Sequence, residues 1–333
     1  MPQGIGVAVL GVGKLGAIHA EHLAQTPGAR LVAVADPILE RAREIGGRWG
    51  AKVFQDPFEA VRAPDVEAVV IVSATDTHAA LIGAAVAERR AVFCEKPLSL
   101  DLAEAEAVAA QVRRAGVPLQ IGFMRRYDPG YRQLYERLRA GEIGEVVALR
   151  SISRDPAPPP EAYVAVSGGI FRDQLIHDFD LARFLVGEVR EVFAVGTVRA
   201  HPFFRKYGDV EEAMVTLRFA GGEIGQLEGT RASGYGYDID TEVLGTRGAL
   251  RVQELEALPL TVRTQGYVRQ PTMPGWIERF DAAYRLELEA FLDGLRRGAA
   301  LTPDAEDGVA ALRVAEAAAH SLQRGVSVGV AAS

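Results

Sequence analysis

Six residues near the start of the chain constrain its fold more than any other feature. The segment Gly11-Val12-Gly13-Lys14-Leu15-Gly16 has the spacing GxGxxG, follows the apolar run 6–10 and opens a helical stretch over 17–25. Glycines at this spacing allow a tight turn and let a pyrophosphate approach the backbone at the positive end of the helix. The segment therefore predicts a strand, a turn and a helix that bind a dinucleotide.

The acid at Asp36 indicates which dinucleotide is expected. It ends the apolar run 31–35 and follows Gly16 by about 20 residues, the interval of the acid that hydrogen-bonds ribose hydroxyls. A carboxylate there repels a 2′-phosphate, so the sequence predicts NAD. Arg41 and Arg43 leave NADP open as the alternative, although a solvated helix face is the expected place for both.

The sequence pattern changes once along the chain, and this change predicts two domains. Up to about residue 120, short apolar runs alternate with helices rich in alanine and charge, as in parallel βαβ units. From about residue 145, longer β-branched strands and glycine turns at 220–222 and 245–248 predict a largely antiparallel sheet. We expect an α/β plus α+β fold: a Rossmann domain with a doubly wound parallel sheet over 1–122, and a second α/β domain over 123–333, with a large sheet flanked by helices, for substrate binding and oligomerisation. Helices are expected in the second domain at 172–186, 281–297 and 304–323.

Charge and cysteine usage exclude several classes of protein. A net charge of -7 gives no broad basic surface, so nucleic acid is not an expected partner. Cys94 is the only cysteine, which excludes an intrachain disulfide and fits a reducing compartment. The N-terminus lacks a basic leader and no run approaches the ~18 apolar residues of a spanning helix, so we expect a cytoplasmic protein without a membrane partner.

A second motif carries a family resemblance. Cys94-Glu95-Lys96-Pro97, together with the Gly11 loop, His19-Ala20 and Thr75-Asp76-Thr77-His78, resembles the Gfo/Idh/MocA oxidoreductase family nearly end to end. The resemblance implies that Lys96 lies between nicotinamide and substrate, where the carboxyl ends of parallel strands face the ligand crevice. The residues expected to bind the dinucleotide are Gly11, Gly13, Lys14, Leu15, Gly16, Asp36, Ser73, Thr75, His78, Glu95 and Lys96.

The segment 167–180 holds the expected acid–base residues. On a single helix, Asp173 and His177 would share a face, with Asp180 one turn further along. Oxidation of an alcohol needs a base for the hydroxyl proton, and histidine titrates near neutral pH, so His177 is the expected general base. Asp173 is expected to orient the imidazole, and Lys96 to stabilise the alkoxide character of the reacting oxygen. The Asp-x-x-x-His spacing matches the pattern of the family.

Two longer segments, 122–128 and 154–180, resemble the inositol-oxidising members of the family. The resemblance implies NAD-dependent oxidation of myo-inositol to 2-keto-myo-inositol, in inositol catabolism, with the Arg125 guanidinium donating to two vicinal hydroxyls. Some members carry Asn where Asp155 stands, which leaves the stereoisomer open. The expected substrate-binding residues are Lys96, Met124, Arg125, Asp155, Asp173, His177, Tyr235, Tyr237 and Tyr284.

Other interpretations stay open. Another cyclic polyol or sugar, such as scyllo-inositol or an aldose, is the alternative substrate within the family, because fold does not separate these. A catalytically silent NAD-binding regulator is the alternative of another class, and the presence of Lys96, Asp173 and His177 together argues against it. His19 and His22 lie three apart without an accompanying HExxH or carboxylate–histidine set, so no metal is expected. The broad second sheet and the family resemblance imply a homo-oligomer, with a tetramer favoured.

Overall fold

The computed structural model describes residues 4–253 and 256–331. Contacts divide the chain into two compact units. The first unit consists of residues 1–124 and 282–309, and the second consists of residues 125–281 and 310–333. Each unit is therefore assembled from two separate stretches of the chain.

The first unit begins with alternating strands and helices. Its elements are β1 (Ile5–Leu10), α1 (Lys14–Gln25), β2 (Ala29–Ala35), α2 (Leu39–Trp49), β3 (Lys52–Phe54), α3 (Pro57–Val61), β4 (Ala68–Ile71), α4 (His78–Ala87), β5 (Ala91–Glu95), α5 (Leu102–Ala115) and β6 (Leu119–Gly122). The strands form one parallel sheet in the order β3-β2-β1-β4-β5-β6. The order reverses between β1 and β4, and ligands of such sheets bind outside the carboxyl ends of the strands at that point.

Local sequence explains most of these elements. The runs that form β1, β4 and β5 are almost entirely buried, as expected for central strands covered on both faces. The Asp101 side chain accepts a hydrogen bond from the Glu104 N–H and caps α5, while Gly116 ends that helix at a φ of 63°. The short strand β3 was not expected, because three largely exposed residues carry no clear periodicity.

The second unit combines one large sheet with helices. Its elements, together with those shared with the first unit, are α6 (Pro129–Arg139), β7 (Val146–Arg154), α7 (Glu161–Val164), α8 (Ile170–Asp173), α9 (Ile176–Leu185), β8 (Val189–Thr197), β9 (Glu212–Phe219), β10 (Ile224–Thr230), β11 (Asp238–Gly245), β12 (Gly248–Gln253), β13 (Val262–Thr264), β14 (Tyr267–Arg269), α10 (Trp276–Arg297), α11 (Ala305–Arg324) and β15 (Val328–Gly329). The large sheet has the order β12-β11-β7-β10-β9-β8-β15. Its pairs are antiparallel except for β7 with β10, which confirms the expected mostly antiparallel sheet.

Burial alternates along the middle strands of this sheet. On β9, Ala213, Val215, Leu217 and Phe219 are buried, while the residues between them face outward. The two expected glycine turns close the β9–β10 and β11–β12 hairpins. One face of the sheet therefore covers a core and the other is exposed, as antiparallel sheets allow.

The chain returns to the first unit through α10. Leu288, Phe291 and Leu292 join a core that also contains Val9 and Phe93. The Phe93 and Phe291 rings meet edge to face with centroids 5.9 Å apart. The expected division at residues 122 and 123 did not include this return, because an amphipathic helix does not reveal which sheet its apolar face covers.

The helix expected over 172–186 is interrupted. The Leu175 N–H bonds to the carbonyl of Ile170, five residues back, and a new helix begins at Ile176. The Gln174 side chain, buried at the break, donates to the carbonyl of Thr230. Asp173 thus ends one helix and His177 lies in the first turn of the next, which corrects the expectation that they share one continuous helix.

The described helices are also informative about membranes. Among residues 4–253 and 256–331, no helix combines the length and the apolar character needed to cross a bilayer.

Candidate functional site

The turn after β1 depends on its glycines. Gly11 has a φ of 91°, and a Cβ there would lie 2.7 Å from the Ser73 backbone nitrogen. A Cβ on Gly16 would lie 1.9 Å from the Gly11 carbonyl oxygen, so α1 packs directly on the turn. A Cβ on Gly13 would meet nothing within 4 Å. Gly13 is the N-cap of α1, where no side chain caps the first turn of the helix.

Asp36 follows β2 and braces this turn. One carboxylate oxygen accepts the Val12 N–H at 2.9 Å, and the other accepts the Ile38 N–H at 2.9 Å. The side chain is largely buried, yet a carboxylate has about four lone-pair positions, so two remain for other donors. Arg41 and Arg43 are exposed on α2. The fold therefore brings the acid, and neither arginine, against the glycine turn.

The loops after β4 and β5 are joined by His78. Its Nδ1 lies 2.8 Å from the Pro97 carbonyl oxygen and its Nε2 lies 3.2 Å from the Ser73 carbonyl oxygen. Burial lowers the pKa of His78, so the neutral ring has one N–H to donate to these two acceptors. The Ser73 and Thr77 hydroxyls lie 2.5 Å apart in the same loop, and Thr75 is half-buried beside them.

Glu95 and Lys96 stand at the end of β5. The Glu95 side chain is buried, and its Oε1 lies 2.8 Å from the Nε2 of His19. A Cβ on Gly122 would lie 2.9 Å from the Glu95 carboxyl carbon, so the neighbouring strand must have glycine there. Lys96 is half-buried. The packing of Glu95 therefore fixes the backbone at the end of β5, and Lys96 is the next residue.

Asp173 accepts hydrogen bonds on both carboxylate oxygens within the second unit. The Tyr163 hydroxyl donates to Oδ1 at 2.8 Å, and the Arg231 Nη1 donates to Oδ2 at 2.8 Å. Arg231 is 2% exposed, and its Nη2 also lies 3.9 Å from Asp209. Tyr163 is 46% exposed, yet partial desolvation of its hydroxyl and the Asp173 charge raise the pKa of Tyr163, which keeps that hydroxyl protonated as a donor. His177 lies half-buried four residues further along the chain.

Arg125 forms an ion pair inside the second unit. Its guanidinium is 2% exposed and donates to Asp178 at 2.9 Å and to Ser153 at 3.0 Å. Asp178 also accepts from the Ser151 hydroxyl at 2.7 Å. A buried cation needs a counter-charge, and Asp178 supplies it, so Arg125 forms an internal ion pair, and its expected contact with vicinal hydroxyls stays a prediction.

Asp180 has a similar internal role. Arg126 binds it with two hydrogen bonds, of 2.9 Å and 2.6 Å, and both side chains are buried. The guanidinium also lies 5.0 Å from the centre of the Phe184 ring. The expectation that Asp180 continues the face of Asp173 is therefore replaced by a bidentate ion pair, whose planar geometry suits arginine.

Three expected substrate residues lie at the end of the large sheet. Asp155 is half-buried and accepts a hydrogen bond from Gln174 at 2.8 Å. Tyr235 is exposed and donates to Asp238 at 2.5 Å. Tyr237 is buried with its ring edge to face against Phe280, and burial raises the pKa of its hydroxyl.

The last two expected substrate residues belong to the first unit. Met124 is 2% exposed at the end of that unit's first stretch. Tyr284 is buried on α10, where its ring meets His19 edge to face at 5.7 Å. Tyr284 therefore packs against the histidine that holds Glu95.

The sequence analysis missed three residues that the structure brings to these sites. They are Tyr163 and Arg231, which bind Asp173, and Glu287, which is fully buried on α10 near Glu95. Glu287 did have a signal, because it interrupts the apolar stripe of α10 one position before Leu288. Tyr163 and Arg231 had none, since their partner is distant along the chain.

Two family models cover most of the chain. Residues 5–123 match the NAD-binding Rossmann fold of the GFO_IDH_MocA oxidoreductase family, and residues 135–330 match the C-terminal alpha/beta domain of the same family. The first unit is accordingly an NAD-binding Rossmann domain completed by α10.

Known proteins resemble the chain over its whole length. It is 40% identical to the myo-inositol 2-dehydrogenase of Thermotoga maritima, over 97% of each chain. It is 38% identical to the scyllo-inositol 2-dehydrogenase (NAD(+)) of Bacillus subtilis, over 98% of this chain and 97% of that protein. The crystal structure of scyllo-inositol dehydrogenase from Lactobacillus casei with bound NAD(H) and scyllo-inositol aligns with a TM-score of 0.92 at 31% identity, over 99% of this chain and 100% of that chain.

Proposed function

The chain belongs to the Gfo/Idh/MocA oxidoreductase family, and from that premise we propose that it oxidises a ring hydroxyl of an inositol with NAD as hydride acceptor. One observation carries the proposal: α1 begins at Gly13 in open space without a side-chain cap, while Asp36 braces the turn beneath it. Such a terminus suits a pyrophosphate. The inositol part of the proposal is supported by the names of the relatives.

The first unit, with residues 282–309, forms the dinucleotide-binding domain in this proposal. The N–H groups at Gly13, Lys14 and Leu15 bind the pyrophosphate, and the remaining lone pairs of Asp36 accept ribose hydroxyls. NAD supplies the two-electron acceptor when it is bound. The other residues proposed to contact it follow β4 and β5 and are Ser73, Thr75, His78, Glu95 and Lys96.

The protein's own side chains manage the proton and the reacting oxygen. The His177 imidazole takes the hydroxyl proton as the hydride leaves the same carbon, which converts the alcohol to a ketone. The Lys96 ammonium donates a hydrogen bond to that oxygen and stabilises its developing negative charge. Asp173, held by Tyr163 and Arg231, supplies the negative charge that favours the imidazolium.

The proposed substrate is myo-inositol and the product 2-keto-myo-inositol. A ring with a hydroxyl on every carbon needs many polar partners, since an unpaired buried group costs about 1–3 kcal/mol. Asp155, Tyr235 and Tyr237 are the further candidates, and the buried Arg125 acts through Asp178. The Bacillus relative is named for scyllo-inositol, so that isomer is the first alternative, followed by an aldose.

We also propose self-association through the second unit. The outward face of its sheet exposes Phe193, Val195, Met214, Ile224 and Leu244 on four strands. A second copy is the occupant that suits an apolar face on a member of an oligomeric family. Light scattering on Met214→Glu tests this: a smaller assembly than wild type supports it, and an unchanged mass contradicts it.

The buried thiol of Cys94 fits the reducing conditions of a cytoplasmic location.

A spectrophotometric screen tests the activity. Formation of the reduced cofactor, NADH or NADPH, is measured with myo-inositol, scyllo-inositol and glucose, each with NAD and with NADP. The proposal expects the highest kcat/KM with an inositol and NAD. A much higher value with glucose would replace the substrate, whereas NAD binding without turnover of any polyol would favour the silent regulator.

A further inference from the structure

A buried cluster of three titratable side chains lies behind the loop that carries Lys96. His19 on α1, Glu95 on β5 and Glu287 on α10 each place one nitrogen or oxygen atom within 4.8 Å of the other two. All three residues are buried within the first unit, and Glu287 is 0% exposed. Sequence reasoning considered His19 without these acids, because they lie far from it along the chain.

The hydrogen bonds of the cluster are unevenly distributed. The Nε2 of His19 and the Oε1 of Glu95 lie 2.8 Å apart. Neither carboxyl oxygen of Glu287 has a hydrogen-bond partner among the described residues. An ionised carboxylate buried without any donor is very costly, and a group in that position takes up a proton.

The surroundings of Glu287 contain little to offset a negative charge. The titratable groups that face it are Glu95 from β5 and His19 from α1, and Tyr284 packs on His19 from one turn earlier on α10. From β6, the neutral Gln120 donates to the Glu287 backbone carbonyl at 3.1 Å. Burial, and then the Glu95 charge, raise the pKa of Glu287 well above its usual range.

A metal ion is the competing occupant of such a donor set. A metal-bound histidine normally donates its other ring N–H to an acceptor, yet the Nδ1 of His19 has no partner among the described residues. The Nε2 of His19, where a metal would bind, instead lies at hydrogen-bonding distance from Glu95. The geometry therefore favours a proton over a metal.

We propose that Glu287 is a neutral carboxylic acid that completes a buried His19–Glu95–Glu287 cluster and positions the backbone from which Lys96 projects. With Glu287 neutral, Glu95 is the one carboxylate of the cluster, and His19 donates to it. Glu287 and His19 are positioning residues, because neither is proposed to touch substrate. The part of the inference that concerns Lys96 rests on the function proposed above.

The experiment compares Glu287→Gln with wild type. Gln has the shape of the protonated acid but cannot ionise. In infrared spectra near neutral pH, wild type should show the C=O stretch of a protonated carboxylic acid, and E287Q should lose it. Glu289→Gln is the matched control, since Glu289 lies on the same helix in an exposed ion pair with Arg285, and it should retain both that band and the wild-type activity.

Thermal unfolding gives a second readout. The folded-state pKa of Glu287 is raised, so its contribution to stability is complete below the unfolded-state pKa of about 4.3 and is lost as pH rises through the folded-state value. The Tm of wild type should therefore fall relative to that of E287Q as pH rises. The Tm of wild type relative to E289Q should show no such fall.

Activity tests the positioning role. Glu287→Ala should lower kcat by roughly tenfold, because a small displacement of a reacting group is costly, and E287Q should restore most of that loss. An unchanged infrared spectrum in E287Q would overturn the inference. So would one tightly bound divalent metal per wild-type chain that E287Q loses. The infrared and Tm results need no substrate, so they stand or fall independently of the inositol assignment.

Discussion

The two units of the molecule neutralise their buried acids by different means. In the second unit, guanidinium groups pair with most of them, namely Arg125 with Asp178, Arg126 with Asp180, Arg231 with Asp173 and Arg279 with Asp128, while Glu211 accepts the backbone N–H groups of residues 199–201. In the first unit, Asp36 accepts backbone N–H groups, Glu95 pairs with a histidine, and Glu287 has no hydrogen-bond donor among the residues that the structure describes. Most buried acids of the second unit therefore have an arginine as their counter-charge, whereas the first unit contains an acid that we infer to be protonated.

This difference suits the separate tasks proposed for the two units. A guanidinium stays charged at any physiological pH, so the acids around the proposed proton-transfer residues keep a fixed charge. Backbone N–H groups and a proton add no full positive charge near the proposed NAD site. Five substitutions test whether the contrast is real.

The largest effect is expected when a guanidinium is removed from the second unit. Arg125→Met leaves Asp178 buried without its counter-charge, so the free energy of unfolding should fall by about 3–5 kcal/mol. Chemical denaturation measures it. Arg137→Met is the control, because Arg137 and Glu142 form an exposed pair and its loss should cost at most about 1 kcal/mol. Equal losses in the two variants would contradict the contrast between the units.

The next effect separates proton transfer from cofactor binding. His177→Ala should lower kcat by roughly 10²-fold or more, because the proposed base is lost. The Kd for NAD, measured by fluorescence titration, should change little, since the dinucleotide is assigned to the other unit. Lys96→Ala should lower kcat to a similar extent and raise the Kd as well. Near wild-type turnover in His177→Ala would move the role of base to Asp173.

A smaller effect is expected at Asp173, four residues before the proposed base. Tyr163→Phe removes one of the two donors to Asp173 but keeps Arg231, so kcat should fall by about tenfold, in line with one hydrogen bond to a charged group. Tyr207→Phe is matched to it, because that hydroxyl donates to the exposed Glu161 at 3.2 Å. Steady-state kinetics should leave Tyr207→Phe at the wild-type rate. If Tyr163→Phe and Tyr207→Phe had the same kcat, the hydrogen bond from Tyr163 to Asp173 would not contribute to turnover.

The smallest effect concerns cofactor choice. Asp36→Asn removes the charge but keeps an acceptor for the glycine turn, so the preference for NAD over NADP should narrow by about fivefold, or roughly 1 kcal/mol. Ratios of kcat/KM measure it. Arg41→Ala should leave the preference unchanged, because Arg41 is exposed on α2. Equal use of both cofactors by wild type would contradict the role of Asp36.

Sequence patterns predicted those features whose determinants are local. The GxGxxG turn, the apolar runs of the parallel sheet and the two glycine hairpins all appear at the expected places. Asp36 also lies where its spacing from Gly16 indicated, against the turn. In each case neighbouring residues determine the backbone, so a short window contains the information.

Features that depend on distant partners were not predictable. Nothing in the sequence shows that Arg125 pairs with Asp178, and at the helix break after Asp173 the Gln174 side chain bonds to the carbonyl of Thr230 in β10. Arg231 follows a strand with nothing nearby to mark it as buried. Glu287 is an acid within an apolar stripe of α10, which marks it as unusual, but this pattern does not show which residues contact it.

The return of residues 282–309 to the first unit limits how such a cofactor domain can be exchanged between genes. A gene fragment cut after residue 122 encodes the whole parallel sheet, but leaves Phe93 without Phe291 and exposes the core that Leu288 and Leu292 cover. Recombination that transfers this domain intact must therefore carry two separated pieces of coding sequence. Point substitution within the glycine turn or at Asp36 alters only one piece of coding sequence. It is therefore the simpler route by which a protein of this architecture can change its cofactor.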